Sequence, residues 1–249
     1  MSTNSSAVLT VTAQQAEHRR LVLAFWVAAA LAVALPQLPF GRMALYPFAL
    51  LATWAHEMGH GLSALLVGGR FDRLMLFPDL GGVAFSSRPD NVIAPVMISA
   101  GGLLGPAVAG GLTIVFGARR RLAPRVLAIF GVLLVASLLL WVRNPFGMAS
   151  ILVLALGFVG LARYGSEGVK LVTAQLTGIQ LCLGSLADVD YMFTRDFVRG
   201  GQVQISDTQA IAEQLLLPYW FWGGMVAALS VAILWTAFWI AWLRPVRGR

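Results

Sequence analysis

Three ionisable side chains stand within five residues in the stretch WAHEMGHGLSALLVGG, Trp54 to Gly69. His56 and His60 are four residues apart. On a helix of 3.6 residues per turn they share a face, so both imidazoles can be offered to one metal ion. Glu57 lies beside that face. From there a carboxylate can take a proton from a water polarised by the ion and pass it to a leaving amine. Zinc is the ion that suits two histidines and a hydrolytic base, because it lowers the pKa of bound water to about 7. The chain has three histidines, and two of them fall in this motif.

The elements that carry these residues are apolar. The chain has 249 residues, 58% hydrophobic and 12% charged, where a soluble domain has about a quarter of its residues charged. Runs of about 20 apolar residues, each able to cross a hydrocarbon core, recur at Leu21–Phe40, Met43–Val67, Val92–Gly117, Val126–Val142, Met148–Ala162, Val169–Ala187 and Tyr219–Leu243. The expected fold is an all-α polytopic membrane protein with six or seven spans, forming one domain over 1–249. Residues 1–17 read as a disordered tail. The net charge of +7 sits in short clusters such as Arg119-Arg120-Arg121 between the apolar runs. That is the pattern of topogenic charge against lipid headgroups, and it leaves no basic soluble domain for nucleic acid. The clusters divide nearly evenly between the two sides, so orientation stays open. A single cysteine, Cys182, excludes an internal disulfide. In such a chain an ionisable residue inside a span costs about 2.5–3.5 kcal/mol on insertion scales, which makes a cluster of three a functional site by default.

Two polar stretches interrupt the spans. In 68–91, Pro78-Asp79 and Gly81-Gly82 supply turn chemistry between two short apolar runs and predict a β-hairpin. In 190–218, Ser206 followed by Gln209 fits a capping box and Pro218 ends the run, predicting a short surface helix. In ISAGGLLGPAVAGG, Gly101, Gly105 and Ala109 recur every four residues. They predict close packing of a neighbouring helix, with local unwinding at Gly-Gly and Pro106 as the alternative.

The segments HEMGHGLSALLVGGRFDRLML, GGVAF and SAGGLLGPAVAG together resemble the membrane-embedded zinc metallopeptidases related to site-2 protease, in particular their short bacterial branch without a PDZ domain. The resemblance is specific from about Ala44 to Gly111 and looser from Arg143 to Gly223. It implies a multi-pass protein of a bacterial cell membrane that binds Zn2+ and hydrolyses peptide bonds of membrane-spanning protein substrates. It also implies that the hairpin holds substrate as an added strand, which assigns substrate contact to Phe71, Leu74, Leu76, Val83 and Phe85. Main-chain pairing of that kind needs an extended substrate.

A catalytic zinc ordinarily takes three protein ligands. The family's usual third ligand is an aspartate in a Leu-Asp-Gly motif after Asn and Pro. Here the corresponding VRNPFGMAS has Asn144, Pro145 and Gly147 but no aspartate. Among the remaining acids, only Asp188 and Asp190 sit at the end of an apolar segment. Asp188 is the deeper, and the resemblance also points there. Metal ligands His56, His60 and Asp188 with Glu57 as base are therefore expected, with Asp190 or an incomplete site as alternatives. Asp188 can share a leaflet with His60 only if the third apolar segment crosses the membrane. A non-proteolytic scaffold binding client helices through the same groove, or a transporter, remain the competing functions. Oligomeric state is not legible.

Overall fold

The computed structural model describes residues 3–187, 192–199 and 202–243. Its elements in chain order are α1 (Thr3–Ala34), α2 (Gly41–Leu66), β1 (Arg70–Leu76), β2 (Gly82–Ser87), α3 (Ile93–Gly117), α4 (Ala123–Leu140), α5 (Pro145–Tyr164) and α6 (Glu167–Ala187), followed by β3 (Asp196–Arg199), β4 (Gln202–Ile205), α7 (Asp207–Gln214) and α8 (Tyr219–Phe238). Each of the seven apolar runs falls on one of the helices α1–α6 and α8. Prolines open α4 and α5, where a missing N–H costs nothing. The helix α1 begins at Thr3, so the stretch expected as a tail is part of it. That stretch contains no glycine or proline to stop a helix once the apolar run behind it has formed one.

Six of these helices are long and apolar enough to cross a membrane. The exception is α2. Its 26 residues suffice in length, but Arg42, His56, Glu57 and His60 dilute its apolarity. The chemistry has been placed on the helix least suited to lipid, and the other helices and the hairpin cover it. The third apolar run is a continuous helix, α3, among the six. The Gly-Gly and Pro106 do not unwind it.

α3 is the hub, packing against α2, α6, α7 and α8. Its glycines explain how close it comes. A methyl group at Gly59 of α2 would run into the Gly101 carbonyl, and one at Gly101 would overlap Ser63 Oγ. Further along, a methyl at Gly110 would lie 2.6 Å from the Gly178 carbonyl oxygen of α6. Gly101 and Gly105, four residues apart, thus let backbone meet backbone against α2, and Gly110 does the same against α6.

The hairpin β1–β2 lies along α2. Leu74 pairs with Ala84 and Leu76 with Gly82, and a bulge between Phe71 and Arg73 rotates Phe71 onto the same face as Leu74 and Leu76. All three are buried. The Phe71 ring covers Gly61 of α2 and stacks on Trp141, with centroids 4.8 Å apart. The turn is tied to α2 by two side chains. Tyr46 Oη donates to the Pro78 carbonyl at 2.9 Å, and Thr53 Oγ1 donates to the Leu80 carbonyl at 2.9 Å. The second bond holds Leu80 in the left-handed region, φ 65°, which a branched side chain seldom adopts.

The outer edge of β1 is closed by the α4–α5 connection. Leu74 N–H donates to the Trp141 carbonyl at 2.8 Å and Arg143 N–H donates to the Leu74 carbonyl at 3.0 Å. Asn144 then imitates a strand residue. Its Oδ1 accepts from Leu76 N–H at 3.1 Å and its Nδ2 donates to the Leu76 carbonyl at 2.6 Å. In Asn144→Ala both buried main-chain groups of Leu76 lose their partner, at about 1–3 kcal/mol each. Chemical unfolding in detergent micelles should show that loss, and unchanged stability would mean that water replaces the amide.

Candidate metal centre

α2 presents His56 and His60 on one face, as the spacing predicts. Their Nε2 atoms are 3.0 Å apart. The rings cross at 84°, so both nitrogens aim at one point rather than stacking. His60 is oriented from behind, because its Nδ1 lies 2.9 Å from the Ile98 carbonyl of α3. A carbonyl only accepts, so Nδ1 carries a proton and Nε2 is the nitrogen turned to the centre, its lone pair available to an ion once any proton there leaves. The ring fits there because residue 102 is glycine. A methyl at Gly102 would overlap the His60 imidazole.

The third member is Asp207, at the first position of α7. Its Oδ2 lies 3.4 Å from His56 Nε2 and 3.3 Å from His60 Nε2. Three donors held by one tetrahedral ion with bonds of about 2.0–2.2 Å stand about 3.3–3.5 Å apart. The observed triangle of 3.0, 3.3 and 3.4 Å therefore fits an ion bound by two imidazoles and a carboxylate, the donor set of catalytic zinc sites. His56, His60 and Asp207 form the one such cluster among the described residues. Burial opposes charge on Asp207, but the imidazoles beside it, in their protonated form, prevail and hold its carboxyl well below the usual carboxylate range. It is thus in the form that binds cations.

Two buried hydroxyls flank Asp207 and fix it. Ser206 Oγ donates to the Thr194 carbonyl at 2.6 Å and accepts from Gln209 N–H at 3.2 Å, as an N-cap should. Thr208 Oγ1 donates to the Met192 carbonyl at 2.9 Å. The sequence predicted this helix and its cap, but as a surface element. Its first turn is instead buried against α3, with Thr208, Gln209 and Ile211 inside. Gln209 does not complete the reciprocal half of a capping box, since its side chain donates to Glu213.

Asp188, expected as the third ligand, lies outside the described residues, as does Asp190. Asp207 was passed over because it sits in a polar stretch, distant from any apolar segment. The available signal was the cap itself, since an acid just inside a capped N-terminus has a fixed position.

Glu57 is buried and turned toward the hairpin. A methyl at Gly82 would run into its Cγ and Oε1. Glu57 thus stands between the histidine pair and the first residue of β2. Of the five hairpin residues expected to meet substrate, Phe71, Leu74 and Leu76 have their side chains in the core. The main-chain groups of Leu74 and Leu76 are taken by Trp141–Asn144. They anchor β1 and are closed to a ligand. Val83 and Phe85 lie on β2, on the face away from α2, where Arg73 sits 4.1 Å over the Phe85 ring.

The profile of the Peptidase M50B-like family matches residues 23–237. The chain belongs to that family, the intramembrane metallopeptidases related to site-2 protease. No curated protein and no solved structure matches it. As a metallopeptidase with several membrane-spanning helices, this M50B-like chain has a use for each part of the cluster. Gly102 offers a test that leaves every donor in place. Gly102→Ala should lower affinity for added zinc by tenfold or more while helix content holds, because alanine favours helix over glycine. Equal zinc affinity would show that His60 can shift without loss.

Proposed function

We propose that this M50B-like peptidase is a zinc endopeptidase that cuts membrane-spanning protein substrates inside the bilayer, taken to be a bacterial cell membrane as the resemblance implies. The observation that carries the reading is the triangle of His56 Nε2, His60 Nε2 and Asp207 Oδ2 with Glu57 beside it. His56, His60 and Asp207 would hold the ion. When bound, zinc supplies Lewis acidity, making water acidic enough to ionise near neutral pH and polarising a carbonyl.

The remaining steps belong to the chain. Glu57, buried next to the histidine pair, accepts one proton from the attacking water. The water oxygen bonds to the scissile carbonyl carbon. Glu57 then returns the proton to the amide nitrogen as the C–N bond breaks, leaving a carboxylic acid and an amine. The apolar helices around the site exclude bulk water, which strengthens each of these electrostatic contacts.

Substrate is held as an extended strand on β2. The opposite edge of the hairpin, on β1, is occupied by Trp141–Asn144. Among the described residues β2 pairs with no strand other than β1, and its first residue, Gly82, lies against Glu57 and has a further partner of its own. A strand added there brings its main chain past the base, and a substrate helix must unwind to be cut.

Glu57→Gln separates ligand from base. It should retain zinc and lose cleavage by at least 100-fold, and loss of zinc as well would make Glu57 a ligand. Zinc content of Asp207→Ala against Asp188→Ala decides the third ligand. Asp207→Ala is expected to lose both metal and hydrolysis, and Asp188→Ala to keep both. The reverse result would move the ligand to Asp188, and full zinc and activity in both variants would sink a three-ligand site.

A further inference from the structure

Resting on the reading of Asp207 as a metal ligand, we propose that a pocket against α7 holds the anionic head group of a phospholipid, and that the bound lipid braces the helix carrying Asp207. The pocket has a volume of about 380 Å³, within the range of about 300–1,000 Å³ of small-molecule sites. Its walls come from three pieces of chain. Arg195 stands just ahead of β3, Gln209 and Ala212 belong to α7, and Leu217, Pro218 and Tyr219 form the connection into α8. Gln209 and Ala212 are two and five residues on from Asp207, so they lie on the opposite side of the helix from it. The membrane span of α8 starts at Tyr219, and the polar helix α7 precedes it. The pocket therefore lies where head groups meet acyl chains. Tyr219, Trp220 and Trp222 open that span, the composition of an interfacial aromatic belt. Trp222 Nε1 donates to the Leu217 carbonyl at 3.0 Å, which fixes the connection. Leu216, Trp220 and Phe221 beside the pocket are exposed, and in a bilayer their neighbours are acyl chains.

Arg195 is the one charged side chain lining the pocket, and among the described residues it forms no ion pair. A guanidinium offers parallel N–H donors that match phosphate oxygens. The Tyr219 phenol adds an O–H donor. Gln209, only 9% exposed, contributes a buried amide. Two acids stand close in the chain but do not line the pocket. Glu213 accepts from Gln209 Nε2 at 3.3 Å, and Asp196 is exposed. One cation and neutral donors beside exposed hydrocarbon suit a phosphodiester with acyl chains attached. A free anion gains nothing from the leucines. The link to the metal centre runs through the main chain. The Arg195 carbonyl accepts from Ser206 N–H at 3.0 Å, and the Thr194 carbonyl accepts from Ser206 Oγ at 2.6 Å. Ser206 is the cap directly before Asp207. A phosphate bridging Arg195 and Tyr219 thus joins the strap at the start of α7 to the connection at its end.

The test uses the full chain in neutral detergent micelles with a phosphatidylglycerol that carries a diazirine on one acyl chain. After photolysis the labelled peptides are mapped by mass spectrometry. Label should fall on the stretch from Gln209 to Trp222. Unlabelled phosphatidylglycerol should displace it roughly fivefold better than phosphatidylcholine, the effect of one cation at a membrane surface. Arg195→Gln should lose that preference and most of the label, and Arg195→Lys should keep part of both. Arg163→Gln, at the far end of the bundle, should match wild type. Wild type should also bind zinc about fivefold more tightly with phosphatidylglycerol than with phosphatidylcholine, and Arg195→Gln should show no such difference. Label undiminished in Arg195→Gln overturns the head-group site. So does displacement by phosphatidylcholine, or by millimolar inorganic phosphate, equal to that by phosphatidylglycerol. Label in the pocket with equal zinc affinity in the two lipids overturns the brace. The zinc content of Asp207→Ala tests the ligand reading separately, so its failure is told apart from failure of the lipid site.

Discussion

Three lone-pair donors within 3.4 Å of one another repel unless a proton or a metal cation stands among them. In an apolar bundle that repulsion is barely screened. The arrangement of this chain follows from meeting that constraint. The donors come from two elements 147 to 151 residues apart in sequence, so neither α2 nor α7 can set the triangle alone. α3 stands between them. It touches α2 through glycines, gives His60 its orienting carbonyl at Ile98, and backs the first turn of α7. A side chain at Gly59, Gly101 or Gly102 would push the helices apart or displace the ring. The run of small residues is therefore part of the metal centre, although none of them supplies a donor.

The same logic explains the two polar excursions. Each ends beside the cluster and is strapped down by side-chain bonds to main chain. The hairpin is held by Tyr46, Thr53 and Asn144, and the start of α7 by Ser206 and Thr208. Loops in an apolar setting carry main-chain groups that lipid cannot satisfy. Here these hydroxyls and the amide satisfy some of them and fix position in doing so. Asn144 shows the economy of this. Where the family's usual motif has a ligand aspartate close after Asn-Pro, this chain keeps the Asn and Pro, with Asn144 as a clasp on β1, and the carboxylate that stands beside its histidine pair comes from α7.

Much of the fold was legible because membrane spans announce themselves by length and apolarity. All seven runs became helices, and the turn residues of 77–82 produced the hairpin. The histidine pair and Glu57 were legible because helical periodicity fixes their relation within one turn. What could not be read was long-range. Asp207 comes beside the histidines because of where a capped helix docks, and docking depends on packing that no local pattern encodes. The burial of Phe71, Leu74 and Leu76 on the hairpin was out of reach for a related reason. Alternation tells which residues share a face, but not which face is buried or which edge is closed. A bulge at Phe71 shifted the alternation by one residue, and Trp141–Asn144, far along the chain, decided the edge.

That edge closure has a consequence for chemistry. A two-stranded hairpin offers two places where an extended chain can pair, and only one of them passes the base. With β1 closed by main chain and by an asparagine in place of main chain, the strand addition proposed above can use only the β2 side of the hairpin. β2 begins at Gly82, where the absence of a side chain admits Glu57. On that proposal the cost of unwinding falls on the substrate, whose freed amide groups would be partly repaired by main-chain pairing. A stable substrate helix resists that exchange and a frayed one does not. Local helix stability in the substrate would then act as a selection filter before any side chain is read.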